Sequence, residues 1–149
     1  MTDRTKAVDA IRALARAARV LERASGELSL AHYRVLSAIA AGDERASRVA
    51  ERLALGKPAV SAAVESLRQR GLIVRSEVAG DQRAAALRLT DAGRALLDDV
   101  ETDMLERFAE LQKRTPDGER LVESLVWLGA AIEEIAEERM ATRRRGGGR

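Results

Sequence analysis

The chain of 149 residues contains no cysteine, which excludes disulfides, thiolate metal sites and redox-sensing thiols. Histidine occurs once, at His32, so no nucleophile–base pair and no metal-ligand spacing can be assembled. A glycine-rich phosphate loop is also missing, and no cofactor is implied. An enzyme is therefore a poor reading. No apolar run approaches a membrane span, and the N-terminus lacks the apolar stretch of a signal peptide, so no membrane partner is expected and the cytoplasm is the default location. Aromatic residues make up 2%, namely Tyr33, Phe108 and Trp127. The core must then be aliphatic, which suits packed helices.

Hydrophobic residues are 46% of the chain and charged residues 34%, the balance of one soluble globular domain. Net charge is only +2, but it is unevenly spread. Residues 43–95 carry ten Lys/Arg against seven Asp/Glu, whereas residues 96–142 carry five against thirteen, and four arginines follow from 143. A basic middle beside an acidic C-terminal segment suggests that one part meets a polyanion and the other does not. The acids Asp98, Asp99, Glu101 and Asp103 read as a solvated helix face rather than a cation site.

Apolar spacing predicts a first helix over 4–24, with Val8, Ile11, Ala15, Ala18 and Leu21 along one face, and a second over 29–41. Ser47 is placed to cap a short third helix ending at Leu53. Pro58 suits the first turn of a fourth helix that ends at Gly71. The short runs 72–76 and 85–89 read as strands around a polar loop, Gly80-Asp81-Gln82-Arg83. Thr90 can cap a long helix to about Arg114. Thr115-Pro116-Asp117 then reads as a cap, a proline at the first position and an acid favoured by the helix dipole. The last helix is expected to end near Ala141. Its stripe of Leu121, Leu125, Leu128, Ile132 and Ile135 is close to a coiled-coil seam.

The fold class is thus mainly α, with a helix-turn-helix and a two-stranded wing between flanking helices. In such a lobe one helix braces a second, which presents its N-terminal end to the major groove. A basic loop beside it reaches the minor groove, where negative potential attracts an arginine. That gives Arg83 a reason to stand on a loop.

The stretch VAERLALGKPAVSAAVESLRQRGLIVR, from Val49 to Arg75, resembles the helix-turn-helix of MarR-family regulators. GDQRAAALRLTDAG resembles their wing signature, with Asp81, Arg83, Leu87, Leu89, Thr90 and Gly93 at the matching positions. The resemblance implies a homodimeric repressor on a roughly palindromic duplex site. It also implies a small-molecule effector, commonly aromatic or anionic, that binds between the dimer helices and the lobe. Residues 1–28 and 96–142 would form the dimerisation region, 29–95 the DNA-binding lobe, and 143–149 a disordered basic tail. Two long helices with apolar stripes and few aromatics argue for the dimer independently, through Val8, Ile11 and the last helix's stripe.

For DNA contact, Lys57 can neutralise a phosphate, and Ser61 can donate to a base edge or a phosphate. Pro58 opens the same helix, and Ala59 and Ala62 can make methyl contacts. Ala62 departs from the family pattern, where a basic or polar residue is frequent, and Gln82 stands where many relatives have a second arginine. Ser47 and Arg48 open the bracing helix and can meet phosphate, as can Arg75 and Arg88. Asp81 is better suited to orienting an arginine than to facing DNA. For an effector, Arg16, Arg19, His32, Tyr33 and Arg34 lie on the helices that usually border the family pocket. The alternative reading is a helical dimer that keeps the fold but acts through protein contacts or non-specific DNA binding.

Overall fold

The computed structural model describes residues 3–42, 45–76 and 86–146. Eight elements follow in order: α1 (Arg4–Ala24), α2 (Leu30–Ala40), α3 (Ala46–Arg52), α4 (Lys57–Gln69), β1 (Ile73–Ser76), β2 (Ala86–Leu89), α5 (Asp91–Lys113) and α6 (Gly118–Gly146). Four helices begin on a side-chain cap. Asp3 accepts from the Thr5 amide, Ser29 from His32, Thr90 from Gly93 and Asp117 from Arg120. Each oxygen satisfies a backbone N–H that the first helical turn leaves free.

Two expected caps are corrected. The third helix starts at Ala46 behind Arg45, which makes no side-chain cap, so Ser47 lies inside the first turn. Burial of Val49 and Ala50 sets the phase of this short helix, and a cap worth about 1 kcal/mol does not override it. Likewise Asp117, not Thr115, opens α6; the Thr115 hydroxyl instead donates to the Gln112 carbonyl and closes α5. The last helix also runs past Ala141 to Gly146, so the stretch expected to be a tail from 143 is helical through 146. Arg143, Arg144 and Arg145 fall in its last turn, where cations offset the negative end of the dipole.

The core is a single aliphatic cluster inside the lobe. Leu28, Val35, Leu36 and Ile39 meet Val49, Val60, Val64 and Leu67, and Ile73, Leu87, Leu97, Val100 and Met104 close it. The strands pair antiparallel with Ile73 opposite Leu89, Val74 opposite Arg88, Arg75 opposite Leu87 and Ser76 opposite Ala86. By contrast, α1 buries no residue and α6 buries only Ala136. The lobe and α5 share this core; α1 and α6 add almost nothing to it.

The junction between hairpin and α5 explains the Leu-Thr-x-x-Gly run. The Thr90 hydroxyl donates to the Gly71 carbonyl at 2.6 Å, and the Thr90 amide donates to Leu72 at 3.0 Å. These bonds pull the first turn of α5 onto the end of α4. A Cβ at Gly93 would overlap the Leu72 carbonyl oxygen, so glycine is required for the close approach.

Candidate nucleic-acid interface

Helix α4 is built to be held on one side and offered on the other. Val60, Ala63, Val64 and Leu67 are buried against α2 and α3, at the spacing of one helical face. Lys57, Pro58, Ala59, Ser61 and Ala62 are exposed, as the recognition-helix reading expects. Gly56 occupies the cap position and supplies no side-chain acceptor. The first turn of α4 therefore leaves backbone N–H groups and the positive end of its dipole facing outward, which favours anions.

Further polar and basic residues stand exposed on the neighbouring elements. Ser47 and Arg48 lie on the first turn of α3, while Arg75 and Arg88 project from the two strands of the hairpin, all exposed. Val74, directly opposite Arg88, is also open to solvent. Arg83, Asp81 and Gln82 lie outside the described residues, between β1 and β2.

Three residues to which the sequence assigned no role sit on the far half of α4. The Glu65 carboxylate accepts from Arg68 through Nε at 3.1 Å and Nη2 at 2.8 Å, and from Gln69 Nε2 at 3.2 Å. The Arg68 hydrogen bond, aided by its charge and by Gln69, holds the Glu65 carboxyl below the usual range. A Glu-x-x-Arg spacing on a helix was the available signal. Arg68 and Gln69 are exposed, so the group is at the protein surface.

The residues expected to hold an effector are not gathered into one cleft. Arg16 and Arg19 are exposed on α1, with Arg19 paired to Glu22 at 2.6 Å. Arg34 is exposed on α2 and His32 is half-buried. The Tyr33 hydroxyl donates to Glu101 of α5 at 3.3 Å, and burial followed by the Glu101 charge raises the phenol above its ordinary pKa. Of the acids read as a solvated face, Asp98, Asp99 and Asp103 are exposed, and Glu101 serves Tyr33. A separate cleft of about 630 Å³ opens between α1 and α5, lined by Val20, Arg23, Arg107 and Arg114 among others.

The apolar residues assigned to a partner surface are largely uncovered. Ile11 is 65% exposed, Ile132 57% and Ile135 49%, and Trp127 and Val126 stand open beside Leu128. Leu121, Leu125 and Val8 are half-buried.

Residues 27–84 match the model of the MarR family. The chain is similar to the transcriptional repressor CouR bound to a 23-mer DNA duplex, at 27% identity over 83% of this chain and 89% of that one, with a TM-score of 0.71. It is similar in fold to wild-type MarR from E. coli in the apo form, at 18% identity over 89% and 98% of the two chains and a TM-score of 0.69. CouR from Rhodococcus jostii RHA1 bound to p-coumaroyl-CoA is similar at 23% identity, covering 84% and 87%, with a TM-score of 0.67. No curated protein matches the sequence. The architecture is that of MarR-family transcriptional regulators, a winged helix between long terminal helices.

Proposed function

From a lobe that matches the MarR family in a chain that carries the family fold, we propose that this protein is a homodimeric, sequence-specific DNA-binding repressor. The observation that carries the reading is α4, packed by one apolar face and offering an uncapped, electropositive end at the exposed Lys57. Lys57, Ser47, Arg48, Arg75 and Arg88 take phosphates, and Ser61, with the methyls of Ala59 and Ala62 beside Pro58, faces base edges. Arg83, oriented by Asp81 and next to Gln82, enters the minor groove. Arg83→Ala should weaken operator binding by about 1–3 kcal/mol with the fold unchanged. A titration giving wild-type affinity would remove Arg83 from the interface.

The dimer is supported by the uncovered apolar row on α1 and α6. Residues 1–28 and 96–142 form it, and 29–95 bind DNA. A small aromatic or anionic effector releases the operator; the relative bound to p-coumaroyl-CoA supports such a ligand class.

Selection from a random duplex library tests the whole reading. Recovery of an inverted repeat with half-sites about one helical turn apart is the expected result. Salt-sensitive binding without enrichment would replace sequence readout by non-specific binding. Absence of binding by the folded protein would favour the protein-contact alternative.

A further inference from the structure

The end of α6 returns to the lobe beside the start of the recognition helix. Two contacts place it there: Ala136 is the one fully buried residue of α6, and Arg52 of α3 donates to Glu133 at 3.0 Å. Beyond them, Arg139, Met140 and Arg143 form one wall of a cleft of about 490 Å³. Glu51 and the turn through Gly56 to Lys57 form the other. Arg139 and Arg143 are four residues apart on a helix and so share a face.

Three cations from segments about eighty residues apart thus converge on one opening. Among the described residues none of the three is ion-paired, and the one carboxylate in the cleft wall, Glu51, is half-buried while the cations are exposed. The helix dipole explains basic residues in the last turn of α6, but Arg139 lies about one turn earlier. Lys57 is placed against the dipole, at the positive end of α4. Like charges that line one cleft repel, and an anion between them relieves the repulsion. The cleft also borders the exposed N-terminal end of α4, so the anion nearest in geometry is a phosphate of the duplex that α4 enters.

We propose that the C-terminal turns of α6 are a second DNA-contacting element, in which Arg139 and Arg143 flank Lys57 and grip the phosphate backbone beside the recognition helix. This rests on the DNA-binding function proposed above. Because phosphate contacts position the protein without reading sequence, the two arginines set affinity and its salt dependence but not the preferred operator.

The test uses the full chain and its selected duplex, titrated across a range of salt concentrations. Arg139→Gln with Arg143→Gln should make the plot of log affinity against log salt shallower by about 0.9 for each phosphate that is no longer neutralised. Discrimination between the operator and point-mutated duplexes should stay at the wild-type ratio. Arg139→Lys with Arg143→Lys keeps the charge and should keep the wild-type slope. A wild-type slope in the glutamine variant would overturn the proposal while leaving the DNA-binding function standing. A slope that stays shallow in the lysine variant would trace the effect to packing and overturn it as well. If the wild-type chain binds no duplex, the function itself fails and the proposal with it.

Discussion

Ala54 and Gly71 occupy the same place in two consecutive helix ends. After α3 the Leu55 amide donates back to Ala50, and after α4 the Leu72 amide donates back to Leu67, the same six-residue closure. The residue between must adopt positive φ, which is +70° at Gly71 and +51° at Ala54. A side chain in that region costs about 1–2 kcal/mol, whereas glycine costs about 0.5–1 kcal/mol of extra chain entropy. The first term wins, so Ala54→Gly should raise stability by about 0.5–1 kcal/mol in denaturant unfolding. Gly93→Ala should do the reverse. Its methyl meets backbone rather than a movable side chain, and a loss of about 1–3 kcal/mol is expected, as for overpacked sites. An unchanged midpoint in either variant would refute the corresponding account. The glycine in Leu-Thr-x-x-Gly was visible as a motif, but its cause, the Leu72 carbonyl, comes from a residue about twenty positions away.

At the scale of elements, α2 and α5 are tied by apolar packing and by one cross-helix hydrogen bond, Tyr33 to Glu101. Tyr33→Phe should cost about 1 kcal/mol at neutral pH, the typical net worth of such a bond. The pH dependence has a definite sign. Since the folded phenol titrates above its ordinary value of 10.0, the folded state keeps a proton that the unfolded state loses. This contribution is complete below pH 10.0 and disappears as pH rises through the folded value. Alkaline unfolding curves should therefore fall more steeply for the wild type than for the phenylalanine variant, and parallel curves would exclude the linkage. Helix starts show the limit of local reading at this scale. Thr90 caps where expected because apolar periodicity and cap residue agree. Ser47 and Thr115 do not, because buried Val49 and the turn closing α5 fix the phase instead.

For the whole molecule, the contrast between a core built by the lobe with α5 and helices α1 and α6 that bury almost nothing supports the proposed dimer. Exposed Leu128, Ile132 and Ile135 recur at four- and three-residue spacing and so share one face of α6. In the proposed dimer Leu128 is covered, and Leu128→Asp would place an unpaired charge there. The dimer dissociation constant should rise at least about a hundredfold, equivalent to about 2.8 kcal/mol, with the lobe still folded. Sedimentation showing a wild-type dimer would move the interface away from this face.

The order of the elements, the buried faces of α4 and α5 and the motif that marks the wing were legible in the amino-acid sequence. They follow from period, turn chemistry and side-chain type, which act within a few residues. The same signals put Lys57, Pro58, Ala59, Ser61 and Ala62 on an open helix face, because burial of Val60, Ala63 and Val64 leaves no other arrangement. Which distant groups meet was a matter for the folded chain. Glu101 receives Tyr33, Leu72 excludes a side chain at Gly93, and Arg139 and Arg143 come to stand beside Lys57. The reason is physical: local propensity sets how each segment folds, but the return of α6 onto α3 is set by packing between segments about eighty residues apart, and no pattern along the chain encodes that distance.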